Sequence, residues 1–576
     1  MINKGAVYHR IGSEMSYAID KNRFLIRIKC EKEGCSKIVL RYMDKYLYFN
    51  NHDRKVNKKE LKKIASDYRY DYYEIITEFN AISLTYYFEI YDKDEKLYYG
   101  NGRFYEKKPV STLDMYMFST IAYEDIFETP EWTKNSIIYQ IFPERFYRGD
   151  NFKDEKKFDK WDGKIGINSY LGGNLNGVID KLEYLEELGI NTLYLTPVFE
   201  AGSNHKYNTF DYFKIDKQFG NEETLIKLVK NAHKRGMRVI LDAVFNHCGT
   251  EFFAFKDLME KQENSEYKNW FEVNKFPLDS NFPPNYKTFG YFGNMPKLMM
   301  NNRETAEYFF KVCTYWIQKA DIDGWRIDVA DEISHQFWKE VRKRVKAVKQ
   351  DAIIIGEVWY DSNSWLQGDE FDTVMNYDFY LSIQKFLATK QHSAKEFDCE
   401  MGEIRGKYKL EPYNILWSLI DSHDTARFLH TAKGNKNLLK LALIIQMTTS
   451  GNPIIYYGDE IGMSGGADPD CRRGMIWDDK KRDKELFEYY KKMILIRKQE
   501  ETLRSGETET IKAENGIYIF KRINKHDEIL IVINRDKDEI NVEIKGTFIS
   551  LISGEKIANN IVIAGETGEI LKKVKK

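Results

Sequence analysis

A chain of 576 residues exceeds what one hydrophobic core serves and divides into three or four domains. Its 88 basic and 89 acidic residues leave a formal net charge of -1, which argues against nucleic acid or an anionic membrane as partner. No apolar run reaches the roughly 20 residues of a membrane span, the opening residues lack a signal-peptide core, and the six cysteines stand at no zinc-site spacing. A cytoplasmic protein with free thiols and no cofactor is expected.

In chain order, the first elements are short strands: FLIRIKC (24–30), KIVLRYMD (37–44) and ISLTYYFEIYD (82–92). Their spacing predicts an N-terminal antiparallel β-sandwich over residues 1–123, followed by a Glu/Thr/Pro/Trp-rich linker near 127–134. From 124 to 502 the pattern becomes strands alternating with amphipathic helices. The strand runs are SIIYQIF (136–142), TLYLTP (192–197), RVILDAVF (238–245), GWRIDVA (324–330), AIIIGEVW (352–359), TVMNYDF (373–379), ILWSLIDS (415–422) and PIIYYGDE (453–460). Eight such runs predict a (β/α)₈ TIM barrel. In the segment 178–189, Leu182, Leu185 and Leu188 share one helical face, as a crossover helix requires. The connection after the third run is too long for a crossover. It is rich in aromatics, Pro and Asn, and predicts a small inserted domain at about 248–297 overhanging the barrel mouth. The runs GIYIFKRI, EILIVINR and INVEIKG then predict a C-terminal antiparallel β-sandwich over 503–576.

Three acids follow three of the barrel runs: Asp328 in GWRIDVADE, Glu357 in IIIGEVW and Asp424 in LIDSHDT. That end of a parallel barrel is where catalytic side chains gather. The three motifs resemble those of the α-amylase family, glycoside hydrolase family 13. The resemblance implies that Asp328 is the nucleophile, Glu357 the acid/base and Asp424 the transition-state stabiliser of a retaining glycoside hydrolase, a mechanism that needs the first two carboxyls about 5–5.5 Å apart. Arg326, two residues before Asp328, points to the same side of its strand and is expected to keep Asp328 ionised. The apolar run Ile353, Ile354, Ile355 is expected to wall Glu357 and raise its pKa, as a general acid near neutrality needs.

Further segments are similar to the neopullulanase, cyclomaltodextrinase and maltogenic amylase subgroup: the N-terminal β-domain, MPKL (295–298), and ADPDCRRGMIW (467–477). The resemblance implies sugar contacts from His205 and Tyr207 in SNHKYNTFDY, His247 in DAVFNH, Trp359, His423, Asp468 and Arg472, with Glu332 near the leaving-group side. The implied activity is hydrolysis of α-1,4-glucosidic bonds in cyclodextrins, maltooligosaccharides and also pullulan or starch, with some transglycosylation. The implied assembly is a homodimer through the N-terminal domain. Alternatives are an oligo-1,6-glucosidase or α-glucosidase of the same fold, whose relatives usually lack an N-terminal β-domain, and a non-catalytic glycan-binding relative, which typically lacks one of the three acids.

Met299, Asn208, Asp331 and Gly474 depart from the subgroup's pattern and bear on substrate preference. The resemblance also implies a calcium site near RFYRGDNFKDEKK (145–157) and LGGNL (171–175). Asp150 and Asp154 keep carboxylates there, but Arg148 and Lys153 stand where oxygen donors are expected and Asn174 replaces an Asp. Calcium wants six to eight oxygen ligands, so its loss is expected, and no metal ligand is assigned.

Overall fold

The computed structural model describes residues 1–46, 56–79, 83–93, 95–118, 126–149 and 158–575. Each of the eight predicted runs overlaps one strand of a parallel barrel: β1 (Ile138–Ile141), β2 (Thr192–Leu195), β3 (Arg238–Ala243), β4 (Gly324–Ile327), β5 (Ile353–Gly356), β6 (Thr373–Val374), β7 (Trp417–Leu419) and β8 (Asn452–Tyr456). The sheet order is β6-β5-β4-β3-β2-β1-β8-β7, and a parallel bridge between Met375 and Trp417 closes the ring. Side chains alternate, as the pleat demands. Ile138, Tyr194, Ile240, Ile355, Trp417 and Ile454 fill the interior, while Tyr139, Leu193, Leu241 and Ile354 pack outward against the helices. The same parity turns Gln140, Asp242, Arg326, Asp328 and Glu357 inward at the strands' C-terminal end.

The helices are cut to length by their caps. Asn302 accepts from the amides of Glu304 and Thr305 to start the helix Arg303–Ala320, which buries Phe309, Cys313 and Trp316 and ends at Asp321 in the left-handed conformation. The long connection after β3 is irregular, with one α-helix, Phe253–Lys261, and short 3-10 turns. The bridges His247↔Lys297 and Phe271↔Leu298 fold the MPKL segment back beside β3, so the insert reaches the mouth of the barrel.

The N-terminal domain pairs a four-stranded sheet with a six-stranded one around Ile26, Ile28, Ile38, Leu40, Phe88 and Ile90. Gly402 and Gly406, one turn apart on the helix Ala394–Lys407, let it approach the barrel closely. A Cβ at Gly402 would lie 2.0 Å from the Ser66 carbonyl oxygen, and one at Gly406 2.4 Å from the Tyr72 ring. Arg27, fully buried, crosses this junction. Its NH1 donates to the carbonyls of Gly406 and Tyr408, each at 3.0 Å, while Nε and NH2 hold Glu74.

The six C-terminal strands form one continuous antiparallel sheet. Its residues Tyr518, Phe520, Ile529, Ile531 and Ile570 pack on the barrel. The alternate residues Ile519, Leu530, Val532 and Leu571 form a separate core with Ile544, Phe548 and Ile563 from its second half, giving two layers. Among the described residues no helix is long and apolar enough to cross a membrane.

Candidate active site

One guanidinium organises the barrel mouth. Asp242 and Arg326 are register partners on β3 and β4, so their side chains meet inside the ring. Arg326 NH1 reaches Asp242 Oδ1 and Asp328 Oδ1, each at 3.0 Å, and NH2 reaches Glu357 Oε1 at 2.8 Å. One positive charge therefore faces three buried carboxyls. They cannot all ionise at ordinary cost, because a lone cation leaves two negative charges in a site of low polarisability. The consequence is visible in the protonation. Burial, then the negative charge of Glu357, push Asp328 well above the usual carboxylate range despite Arg326. Burial pushes Asp242 up to about 6. The expectation that Arg326 keeps Asp328 ionised is thus corrected: the arginine is in place, but it is shared three ways. Asp242 and Asp328 titrate together rather than as independent groups.

The two outer acids differ in what remains free. Asp328 Oδ1 is anchored by Arg326, whereas Oδ2 has no hydrogen-bond partner among the described residues. Glu357 is surrounded by donors. Its Oε1 accepts from Trp359 Nε1 at 3.2 Å and from the Tyr377 hydroxyl at 3.3 Å, and Oε2 from the Val329 amide at 2.9 Å. The apolar wall expected beside it is absent, because Ile353 and Ile355 point down into the barrel core and Ile354 points outward. Trp359 instead stacks on Tyr377, ring centroids 3.7 Å apart, and the residue is 39% exposed. This leaves an aromatic edge at the rim.

Opposite lies a row of rings. His205 stacks on Tyr207, and Tyr207 on His423 with 5° between planes. Gln140 Nε2 donates to His423 Nδ1 at 2.6 Å, which places the imidazole proton on Nε2. That nitrogen meets Tyr207 Oη at 2.5 Å and Asp424 Oδ2 at 3.2 Å, and the Tyr207 hydroxyl donates onward to Asp242 Oδ2. Burial, then the charges of Arg472 and Arg326, hold His423 well below the usual histidine range. Burial and Arg472 bring His205 down to about 3, and burial and Lys297 do the same for His247. All three histidines are neutral at pH 7; His423 has both ring nitrogens engaged, by Gln140 and Tyr207, and His205 Nδ1 accepts from the Tyr207 amide at 3.1 Å.

Asp424 is more open than the other two acids. Arg472 NH2 donates to its Oδ1 at 3.1 Å, and Arg472 NH1 pairs with Asp468 at 3.1 Å. The sequence-predicted contacts of the segment 467–477 therefore converge on the third acid. On the other side, Lys297 of MPKL pairs with Glu332 at 2.6 Å, and Asn246 Nδ2 donates to Glu332 at 3.1 Å. His247 stacks on Phe289 of the insert. Every sequence-predicted site residue thus lies at the strands' C-terminal mouth.

Four participants were missed: Asp242, Tyr194, whose hydroxyl donates to Asp242 at 2.7 Å, Gln140 and Tyr377. Asp242 lay within the quoted DAVFNH motif. A tyrosine or glutamine inside an otherwise aliphatic barrel strand is the signal for Tyr194 and Gln140, whereas Tyr377 opens the helix after β6.

Of the departures, Gly474 has a steric reason, since a Cβ there would stand 2.6 Å from the Trp161 carbonyl oxygen. Asn208 accepts from Ser203 Oγ at 2.5 Å. Burial raises Asp331 above the usual carboxylate range. Nothing in the structure explains Met299. In the region of the implied calcium site, Arg148 donates to the Leu171 carbonyl and Asn174 Oδ1 is taken by the amides of Gly149 and Gly177. A side-chain oxygen already capping a helix and a cation beside it do not fit a calcium site. Asp150, Lys153 and Asp154 lie outside the described residues.

The family model described as the α-amylase catalytic domain matches residues 140–483, and that of the α-amylase N-terminal Ig-like domain matches residues 1–122. The cyclomaltodextrinase of Thermoanaerobacter pseudethanolicus is 39% identical over 576 residues, which cover 99% of this chain and 100% of that protein. Neopullulanase 2 of Thermoactinomyces vulgaris is 40% identical over 564 residues, covering 96% of this chain and 95% of that protein. A solved cyclomaltodextrinase structure superposes with a TM-score of 0.94 at 38% identity, covering 99% of this chain and 100% of that one. With its barrel, its N-terminal domain and its three acids at the strand ends, the chain belongs to the α-amylase family of glycoside hydrolases.

Proposed function

We propose that this enzyme hydrolyses α-1,4-glucosidic bonds in cyclodextrins and maltooligosaccharides, and also in pullulan or starch, with retention and some transglycosylation. The observation that carries the reading is Arg326 holding Asp328 and Glu357 side by side while Asp328 Oδ2 stays free. In this mechanism Asp328 Oδ2 attacks the anomeric carbon as the Glu357 proton passes to the leaving glycosidic oxygen. The resulting glycosyl ester on Asp328 is then hydrolysed by a water that Glu357 deprotonates. The cycle needs Asp328 ionised and the proton on Glu357, so the proton that burial favours on Asp328 must leave before attack. Asp424 with Arg472, and the neutral His205, His247 and His423, hold hydroxyls and stabilise the developing positive charge. Tyr207 and Trp359 offer ring faces to sugar rings, Asp468 extends the non-reducing side, and Glu332 with Lys297 borders the leaving group.

The substrate class rests on the similarity to a cyclomaltodextrinase and a neopullulanase over nearly the whole chain. The match of an N-terminal domain disfavours an oligo-1,6-glucosidase, and the intact set of acids disfavours a non-catalytic relative. Chromatography of products from β-cyclodextrin, maltotriose, pullulan and starch tests the reading. Cyclodextrin and short oligomers should be cut fastest, with the α-anomer released first. Release of the β-anomer, or cleavage confined to α-1,6 bonds, overturns it. We further propose a cytoplasmic homodimer in which the N-terminal domain helps wall the partner's site. A monomer in sedimentation at micromolar concentration would rule this out.

A further inference from the structure

Behind the Asp424 loop lies a second acidic pair that the mechanism does not use. Asp421 and Asp459, at the ends of β7 and β8, are both buried. Asp421 Oδ2 accepts from the Phe428 amide at 2.6 Å, and Asp459 Oδ1 from Arg427 NH1 at 2.8 Å. Each is left with one oxygen, Asp421 Oδ1 and Asp459 Oδ2, that no other residue's donor reaches. The two carboxyls lie close enough that each shifts the other's protonation. Two carboxyl oxygens can be hydrogen-bonded only through a proton.

We infer that Asp421 and Asp459 hold a single proton between them, and that this buried carboxyl–carboxylate pair positions the loop carrying His423 and Asp424. The linkage is continuous. Fully buried Arg427 joins Asp459 to the Cys471 carbonyl at 3.0 Å, and its own amide donates to the Gly465 carbonyl. Cys471 Sγ and Arg472 Nε both donate to the His423 carbonyl, at 3.3 and 2.7 Å. Arg472 then reaches Asp424. The proton thus clamps the loop after β7 to the loop after β8, and the clamp ends on the third acid of the site. Both are positioning residues, and the inference rests on the role proposed for Asp424.

The groups facing the pair set its titration. Arg427 favours ionisation. Glu460 on the same turn opposes it at Asp459, while Tyr490 from the helix Lys484–Gln499 and Tyr380 from the helix Tyr377–Ile383 stand nearby as neutral hydroxyls. Burial, then the neighbouring acid, raise Asp459 far above an exposed aspartate. The native state therefore binds a proton that the unfolded chain releases near pH 4. Stability falls as pH rises above that point, until the pair loses its proton.

The test uses asparagine, which keeps the acceptor and puts a permanent N–H where the proton sat. In Asp459→Asn the amide oxygen still serves Arg427 and the amide nitrogen donates to Asp421; Asp421→Asn mirrors this through the Phe428 amide. Each single variant should keep kcat at pH 7 within about twofold, and hold kcat and Tm about one pH unit or more further into alkali than the wild type. The double variant sets two amide donors face to face, so its Tm loss should exceed the sum of the single losses. An alkaline profile of Asp459→Asn identical to wild type, or an additive double variant, overturns the inference. The Tm readout does not depend on Asp328 or Glu357, so failure here is distinguishable from failure of the hydrolytic reading.

Discussion

Asp323 and Asp328 bracket the same strand, β4, and are both buried, yet their charges are handled in opposite ways. At the N-terminal end, Asp323 is met by His233 at 2.7 Å, Arg238 at 2.8 Å, Lys349 at 3.0 Å and the Val239 amide at 2.8 Å. Burial pushes it upward, but these partners outweigh burial and hold it down to about 2. At the C-terminal end, Asp328 shares one arginine with two other acids and is pushed up. One end of the barrel spends its cations generously and is stable; the other is left short of positive charge and is reactive. The division follows the fold, since a parallel barrel presents its strands' C-terminal ends to substrate and seals the other.

The contrast can be broken most directly at the acids themselves. Asp328→Asn and Glu357→Gln should each lower kcat by several orders of magnitude, because the missing group performs a step that binding cannot replace. Their Tm should stay equal to or above that of the wild type, since each removes charge from an overcrowded cluster. Substantial turnover by either folded variant would end the assignment. Next in size, Arg326→Met should destabilise the protein by about 3–5 kcal/mol, by stranding three carboxyls without their cation. Denaturant melts should show that loss shrinking on acidification as the carboxyls take up protons. A loss independent of pH would show that Arg326 acts through packing alone. Smallest is Asp323→Asn at the sealed end, with about 2 kcal/mol of stability lost at pH 7 and kcat unchanged. The sign is that of a depressed carboxyl: its contribution is present above about pH 4 and disappears as pH falls toward 2. Wild-type and variant melting curves should therefore converge in acid, and a constant gap between them would contradict the account.

The barrel was legible in the sequence because each strand is a short β-branched or apolar run ended by a polar residue, and eight such runs recur between amphipathic helices. The site was legible where a motif names its own residue, as with Asp328, Glu357, Asp424, His205 and Arg472. What could not be read was anything set by register between strands. Asp242 becomes part of the site only because β3 and β4 place it opposite Arg326, residues separated by the whole insert. Tyr377 matters only because β6 brings it beneath Trp359. The surroundings of Glu357 were misjudged for a related reason: three consecutive isoleucines suggest an apolar wall, but pleat alternation sends them to other faces and leaves donors around the acid.

The close seating of the N-terminal domain has a meaning for recombination. Inter-domain contacts within a chain are ordinarily loose enough to permit relative motion. Here Arg27 supplies its charge to Glu74 and its remaining donors to two carbonyls of the catalytic domain, while Gly402 and Gly406 keep the helix surface bare enough for Ser66 and Tyr72 to rest on it. The domain behaves as a keyed part. A chimera that exchanges it must carry the matching arginine, and a homologous barrel with side chains at 402 and 406 has no keyhole for it.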